Sequence, residues 1–426
     1  MPGACLGPST PSTPLRVQGW IRCGLSVALT LGFGLGLGFA LEGCKREEAG
    51  FHDGVSADTI RLGSWGPLTG PQAAWGDSLR AMKAYLEHIN VEGGIHGRKL
   101  ELYVKDDGYD PSRTPAAARA LVERDEVFAV VGAIGTANAK AAAPILERAG
   151  VPFFTPASGA AWLTSPEGPS NVRSVYLPYE TEGRLIAEHL VTEMGLKSLA
   201  VIYQDDDFGR EGLAGLEAGA KAAGGAVQAS APVTPTDTDV SGAVAAALEG
   251  EPDALVLYVA PMQAVLVGRK LAGRPERPQL VTSFVLNDPG IIARAGPEVW
   301  EGTLTAVVSR LADDENDPSV RQLQQILRRH APSLYRGGFA MSGVRFIQPL
   351  LEALERAGPD LTREKLFTAL ESLDDYRGGG PHWDGPGLGT PVSFAGGQRL
   401  GVSRIGFARA RDGRWVMEED WREPTP

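Results

Sequence analysis

The chain has 426 residues, more than one ordinary hydrophobic core supports, and its 43% apolar and 22% charged content is typical of a globular protein. A formal net charge of −11 argues against nucleic acid or an anionic membrane surface as the main partner. All three cysteines, Cys5, Cys23 and Cys44, fall within the first 44 residues, which excludes a disulfide, a thiolate metal site or a cysteine nucleophile from the rest of the chain. The six histidines show no spacing typical of a metal site, and we expect neither a metal nor a cofactor.

The N-terminus has the pattern of an export signal. Residues 1–22 carry two arginines, and residues 23–41 contain no charge, which matches a basic region followed by an apolar one. The apolar run ends in the motif LEGC at 41–44, which resembles a bacterial lipobox. We therefore expect a lipoprotein signal peptide over residues 1–43 and lipidation of Cys44, which would anchor the protein to a membrane.

One feature of this signal leaves an alternative open. Glu42 departs from the small or apolar residue usual at that place, so the efficiency of cleavage is undecided. The alternative is an uncleaved transmembrane anchor, because the apolar run is almost long enough to span a bilayer. Residues 44–58 are polar and mostly charged, and they are predicted to form a flexible tether.

Beyond the tether, short apolar runs alternate with segments of helical periodicity. In the first series we predict strands at 60–65, 100–104, 127–131 and 151–154, with helices beginning near Pro71, at 112 and at Asn138. After a break at 172–183, a second series has helices at 180–194, 209–223, 240–249 and 261–272 and strands at 198–203, 253–259 and 279–284. Long helical stretches at 317–331 and 339–357 follow, and two strands lie within 403–417. The fold class is therefore α/β, with two doubly wound αβα lobes, a multi-strand hinge and a cleft between them.

The stretch from Val127 to Gly159 carries the first functional prediction. Two neighbouring parallel strands end there in small polar loops, Gly132 to Thr136 and Thr155 to Gly159, which lie on the same rim of a sheet. Unpaired N–H groups at the start of the following helix favour an anion. We expect Thr136, Ser158 and backbone N–H groups to hold a small carboxylate. Ordinary βαβ turns also have small residues at such positions, and that alternative stays open.

Several segments, in this order, resemble the periplasmic branched-chain amino-acid-binding proteins of ABC transporters, the leucine-binding group of type I periplasmic binding proteins. They are IRLGSWGPLTGPQAAWGD, INVEGGIHGRKLELYVKDD, VFAVVGAIGTANAKAAAPI, GVPFFTPASGAAWLT, VIYQDDDFGREGL, GPEVWEGTL and GPGLGTPVSF. The resemblance covers roughly residues 58–418 and implies two lobes that close on a small ligand. The implied N-terminal lobe is 59–176 with 304–390, and the implied C-terminal lobe is 177–303 with 391–420.

The resemblance also assigns ligand-binding positions near the ligand's carboxylate. Thr136 matches the hydroxyl of the glycine loop, and Ala157, Ser158 and Gly159 match the backbone groups after the next strand. Gly159 stands where amino-acid binders have threonine, so one hydroxyl is missing.

Further implied positions surround the rest of the ligand. Trp75 matches an aromatic position in the first loop, Phe208 stands where tyrosine is usual, and Tyr258 is near another aromatic position. Glu298 aligns with an acidic residue that meets the ligand's ammonium group, and a one-residue shift would place Glu301 there instead. Three of these residues also have an alternative role without ligand contact. Trp75 would cover a helix start, Phe208 would be a core residue, and Glu298 would be a solvated surface residue.

The sequence thus predicts a lipid-anchored extracytoplasmic binding protein, in the periplasm or at the cell surface. It would capture a small amino acid or a related carboxylate or amide and deliver it to an ABC permease, without catalysis. No Walker loop, paired-carboxylate pattern or GxSxG elbow supports an enzyme, and the acidic run at 205–207 is expected to be a helix cap or solvated turn. The rival hypotheses are a ligand-sensing receptor of the same fold and a cleft hydrolase.

Overall fold

The computed structural model describes residues 53–422 except 275 and 381. The predicted signal peptide, Cys44 and most of the predicted tether lie outside the described residues. Within the described ranges, no helix combines the length and apolar character that crossing a membrane requires.

The first sheet has five strands, all paired in parallel: β1 Thr59–Gly66, β2 Lys99–Asp106, β3 Ala129–Val131, β4 Phe153–Phe154 and β5 Val172–Arg173. Their order is β2-β1-β3-β4-β5, so the chain reverses direction across the sheet at β1. Ile60, Leu62 and Trp65 of β1 are fully buried although they point to both faces, because helices cover the sheet on both sides.

The second sheet has seven strands: β6 Ser198–Gln204, β7 Ala226–Val233, β8 Ala254–Tyr258, β9 Gln279–Thr282, β10 Leu304–Val307, β11 Ile405–Arg411 and β12 Arg414–Arg422. Their order is β12-β11-β10-β9-β8-β6-β7. β6 to β10 pair in parallel, and β11 and β12 form an antiparallel hairpin at one edge. Asp412 and Gly413 turn this hairpin with φ values of 52° and 75°, a left-handed conformation that aspartate and glycine tolerate. The predicted final strands around this turn are confirmed.

The helices are α1 Asp77–Val91, α2 Thr114–Arg119, α3 Thr136–Arg148, α4 Tyr179–Glu188, α5 Asp207–Ala222, α6 Ser241–Leu248, α7 Pro261–Leu271, α8 Pro289–Ala295, α9 Pro297–Trp300, α10 Pro318–His330, α11 Gly338–Ala357 and α12 Arg363–Glu371. Helices α2 and α4 each run on into one π-helical turn, Ala120–Arg124 and His189–Glu193. The predicted alternation is confirmed, but α1 begins six residues after Pro71, and α3 begins at Thr136 instead of Asn138.

Helix α11 packs closely on α1. A Cβ atom added at Gly343 would lie 1.9 Å from the carbonyl oxygen of Ser78, so only glycine fits at this crossing. The close approach places the N-terminal half of α11 beside the loops at the carboxyl ends of the first sheet.

Three segments connect the two sheets: one follows β5, one follows β10 and one precedes β11. They also pair with each other through isolated bridges, Ser174 with Leu400 and Ser309 with Gly389. Strand β10 pairs within the second sheet, so the second crossing begins after Val307, four residues beyond the boundary implied by the resemblance. The lobe boundaries themselves stay a prediction.

Candidate functional site

A cavity lies where the carboxyl ends of strands from both sheets face each other. Its lining comes from the segments after β1, β2, β3, β4 and β5 of the first sheet, from those after β6, β9 and β10 of the second, and from α11. This is the position at which open parallel sheets bind ligands. The cavity is small in this conformation, with a volume of about 60 Å³, which is room for a few water molecules or one small ligand.

The rim predicted from the sequence is formed by the loops after β3 and β4. Gly135 has φ 107°, a conformation open to glycine, and it turns the chain so that Thr136 becomes the first residue of α3 and lines the cavity. The Thr136 Oγ1 lies 2.8 Å from Ser158 Oγ and 3.4 Å from Tyr179 Oη. Ala157 lines the cavity, whereas Ser158 is buried behind Thr136 and positions its hydroxyl.

Gly159 also lies behind the rim, and the structure explains why it is glycine. A Cβ atom there would lie 2.2 Å from the carbonyl oxygen of Leu177 and 3.0 Å from the amide nitrogen of Tyr179. The start of α4 therefore packs too closely on the loop for a threonine. The Tyr179 ring occupies this side of the cavity, and its hydroxyl lies near Thr136.

Aromatic rings form a large part of the wall: Trp75, Tyr109, Tyr176, Tyr179, Phe208, Phe284, Phe339 and Phe346. The Trp75 ring packs 5.1 Å from that of Tyr109, and its indole N–H donates to the carbonyl of Val285 at 3.5 Å, which joins the loops of the two sheets. Phe208 lies 4.8 Å from Tyr179 between ring centroids. Both Trp75 and Phe208 line the cavity as the resemblance implied.

Besides Ser158 and Gly159, two further implied positions do not line the cavity. Tyr258 is fully buried behind Phe208, with ring centroids 5.8 Å apart. Glu298 is exposed on α9, and the alternative Glu301 accepts a hydrogen bond from the Asp412 N–H at 3.0 Å on the surface. Neither carboxylate is in a position to meet a ligand's ammonium group in this cavity.

A buried glutamate, Glu182, supports the part of the cavity wall that Phe284 forms. Glu182 accepts hydrogen bonds from the Phe284 N–H at 2.7 Å and from the Ser283 hydroxyl at 3.0 Å, and the Tyr258 hydroxyl faces the same carboxyl group. Complete burial raises the pKa of Glu182 to about 8, and these hydrogen bonds act in the opposite direction. The carboxyl group is therefore largely protonated and neutral near pH 7, and it fixes the loop that carries Phe284 and Val285.

The sequence prediction missed Arg345, which lines the cavity from α11. Its side chain is 5% exposed, its Nη1 donates to the carbonyl of Val175 at 3.1 Å, and its Nε has no hydrogen-bond partner. Burial lowers the pKa of Arg345 to about 10, so the guanidinium stays charged at neutral pH. An arginine in the middle of the otherwise apolar run GFAMSGVRFIQPLL is a signal that could have identified it.

The acidic run at 205–207 is a helix cap, as predicted. The Asp206 carboxylate accepts from the N–H groups of Phe208 and Gly209 at the start of α5, and Asp205 and Asp207 pair with Arg210 and Lys140. Within the described ranges, the one group of side chains close enough to share a metal ion is His189, Glu193 and Glu419, and it does not line the cavity.

Comparison with known proteins agrees with this architecture. Residues 59–414 match the family model described as periplasmic binding protein. The chain is 28% identical over 320 residues to Leu/Ile/Val-binding protein homolog 3 of Brucella melitensis, a match that covers 72% of this chain and 82% of that protein. It is 34% identical over 161 residues to the leucine-, isoleucine-, valine-, threonine- and alanine-binding protein of Pseudomonas aeruginosa, which covers 38% of this chain but only 42% of that protein.

A solved structure of a similar protein has the same architecture. The substrate-binding periplasmic protein of Ralstonia solanacearum superposes with a TM-score of 0.75 at 28% identity, over 85% of this chain and all of that one. The similar proteins are binding proteins and not enzymes, as predicted for this chain, and the family implies a location outside the cytoplasm. The predicted type I fold and the predicted kinship with leucine-binding proteins are confirmed. This chain belongs to the periplasmic binding protein family.

Proposed function

We propose that this protein is a lipid-anchored solute-binding protein that captures a small amino acid or a related carboxylate or amide and delivers it to an ABC permease. The observation that carries the proposal is the cavity itself, because loops from the carboxyl ends of both sheets line one small space. Aromatic walls supply apolar contact, and Thr136 supplies a polar contact at one end, which suits a small amphipathic ligand.

The same arrangement suggests how a ligand stabilises closure. Gln72 of the first loop donates to the Pro235 carbonyl at 2.8 Å and to Gln263 Oε1 at 3.0 Å, and Lys140 pairs with Asp207 at 2.7 Å. These contacts join segments from the two βα series, and Asp207 directly precedes Phe208 of the cavity wall. A ligand enclosed here contacts both series only while they are closed, so its binding energy favours the closed state.

The names of the similar proteins support an amino acid or a chemically related molecule as ligand. The Brucella protein is named for leucine, isoleucine and valine, and the aromatic walls suit side chains of that size. Trp75, Thr136, Ala157 and Phe208 are the predicted binding residues that line the cavity.

Export and anchoring complete the proposal. The signal-like segment and Cys44 would hold the protein at the outer side of a membrane, where a permease receives the ligand. The several acyl chains of a bacterial lipoprotein hold firmly at about 0.8 kcal/mol per buried CH₂ group. If Cys44→Ser protein still incorporates labelled palmitate, the anchoring part of the proposal is wrong.

The ligand part is tested by a thermal-shift screen against amino acids, small carboxylates and amides, followed by titration calorimetry. A ligand at 100 times its Kd should add about 2.7 kcal/mol to the free energy of unfolding. Thr136→Val keeps the shape and removes the hydroxyl, so it should weaken binding about ten- to a hundredfold. The matched control is Thr368→Val on the exposed face of α12, which should bind as the wild type does. Equal affinity of the Thr136→Val variant and the wild type would contradict the proposed site.

A further inference from the structure

We propose that the ligand is a small apolar monocarboxylate without an ammonium group, and that Arg345 binds its carboxylate. This rests on the proposed function, because it takes the cavity between the two sheets as the ligand site. The proposed function allows amino acids, carboxylates and amides as ligands, and this inference selects the carboxylates.

The first argument is the state of the Arg345 side chain. Within the described residues, no aspartate or glutamate lies within ion-pair distance of its guanidinium, and Nε has no hydrogen-bond partner. The Val175 carbonyl accepts one N–H, and the ring of Phe346 lies 4.8 Å from Cζ. A buried charge without an anion is costly, and proteins normally pair it. Arg345 lines both the cavity between the two sheets and a smaller one, which Val175 also lines. A carboxylate bound in the first cavity would supply the missing anion, and arginine suits it because a guanidinium can donate two parallel N–H groups to a carboxylate.

The second argument is that the described lining of the cavity offers no carboxylate partner for an ammonium group. No aspartate or glutamate is among the described residues that line it. The nearby buried carboxyl groups are engaged elsewhere: Glu182 accepts from Phe284 and Ser283, and Asp288 accepts from the N–H groups of Gly290 and Phe339. An α-amino acid would bring its ammonium group beside a buried cation of the same sign. That unfavourable contact and the lost hydration disfavour amino acids.

The third argument is the apolar wall. The cavity is small, and aromatic rings from both βα series surround it, among them Trp75, Phe208 and Phe284. Such a wall suits a branched aliphatic group or a single aromatic ring. The other polar side chains that line it, among them Thr136, Asn287 and Ser309, are neutral and add no charge requirement.

Two ladders of matched compounds test the inference on the wild-type protein by titration calorimetry. One ladder is 4-methylpentanoate, leucine and 4-methylpentanamide, and the other is 3-phenylpropanoate, phenylalanine and 3-phenylpropanamide. Within each ladder the carbon skeleton is the same, and only the ammonium group or the charge of the carboxylate changes. In at least one ladder, the carboxylate should bind at least tenfold more tightly than both the amino acid and the amide.

Variants then assign this preference to Arg345. Arg345→Gln should remove the preference for carboxylate over amide, and Arg345→Lys should keep part of it because the charge remains. The control Arg414→Gln changes an exposed arginine on β12 and should leave all affinities unchanged. If Arg345→Gln does not fold, the ladders on the wild type decide alone.

The outcomes separate this inference from the proposed function. The inference is overturned, and the cavity is left as a ligand site, if in both ladders the carboxylate binds less than tenfold more tightly than the amino acid or the amide. A carboxylate preference retained in Arg345→Gln overturns it as well. If none of the six compounds binds, the inference is overturned whatever other ligand the screen finds. The proposed function fails only if the whole screen finds no ligand or Thr136→Val binds as tightly as the wild type.

Discussion

Two buried ionisable side chains near the cavity, Glu182 and Arg345, meet the cost of burial in different ways. Glu182 accepts two protein hydrogen bonds, and its pKa of about 8 lets it take up a proton and stay neutral at pH 7. Arg345 donates to one carbonyl, and its pKa of about 10 keeps it charged. The difference indicates that Glu182 is a structural support, whereas Arg345 is a binding group whose partner comes from outside the chain.

The largest expected effect is on the pH dependence of stability. The pKa of Glu182 is about 8 in the folded state against 4.5 in the unfolded one, so its favourable contribution is complete below pH 4.5 and is lost as the pH rises through 8. At 1.36 kcal/mol per pKa unit, this loss is on the order of 5 kcal/mol. Glu182→Gln cannot ionise, and we expect it to match the wild type at pH 5 and to be more stable by a few kcal/mol at pH 9.

Urea unfolding at pH 5, 7 and 9 measures this difference. Other buried carboxyl groups with raised pKa values, such as Asp288 and Glu211, affect both proteins alike and cancel in the comparison. A wild type that keeps a constant difference from Glu182→Gln over this pH range would mean that Glu182 does not titrate as described.

The next effect concerns Arg345 in the absence of ligand. Arg345→Met removes an unpaired buried charge and keeps an unbranched side chain, so we expect the free energy of unfolding to stay the same or to rise by about 1–2 kcal/mol. The cost is the donor lost by the Val175 carbonyl, which contributes about 1 kcal/mol. If urea unfolding shows that the free energy of unfolding of Arg345→Met falls by more than about 3 kcal/mol, Arg345 is a structural support like Glu182. The contrast drawn between the two residues would then be wrong.

The smallest effect is at Ser283. Its hydroxyl donates to Glu182, so Ser283→Ala should lower the free energy of unfolding by about 1 kcal/mol and raise the pKa of Glu182 further. Ser403→Ala at an exposed position is the control and should change neither quantity. An unchanged pH dependence in Ser283→Ala would mean that this hydrogen bond does not support the ionised form.

The alternation of strands and helices could be predicted because helices cover both faces of a parallel sheet, so its central strands carry buried apolar residues. Leu62 in β1 and Val256 in β8 are fully buried examples. The prediction missed β7, an edge strand rich in alanine. Its residues are mostly exposed or half-buried, so it lacks the continuous apolar run of a central strand. It also assigned no helix over α8 and α9, because proline and glycine interrupt the periodicity there.

The site could be predicted only where local sequence decides it. The Thr136 loop was identified because a glycine at positive φ and a following helix start are local features. Arg345 comes close to the rim only through the packing of α11 on α1 at Gly343, which no local pattern encodes. Glu298 was assigned by alignment, whereas the fold places it on the surface of a four-residue helix.

A crystal structure of the protein with 4-methylpentanoate, or with whichever small carboxylate the ladders favour, tests the central claim most directly. We predict electron density in the cavity, with the ligand's apolar group against Trp75 and Phe208 and its carboxylate within about 3 Å of the Arg345 guanidinium. Ligand density elsewhere, or a carboxylate in the cavity turned away from Arg345, would contradict the account.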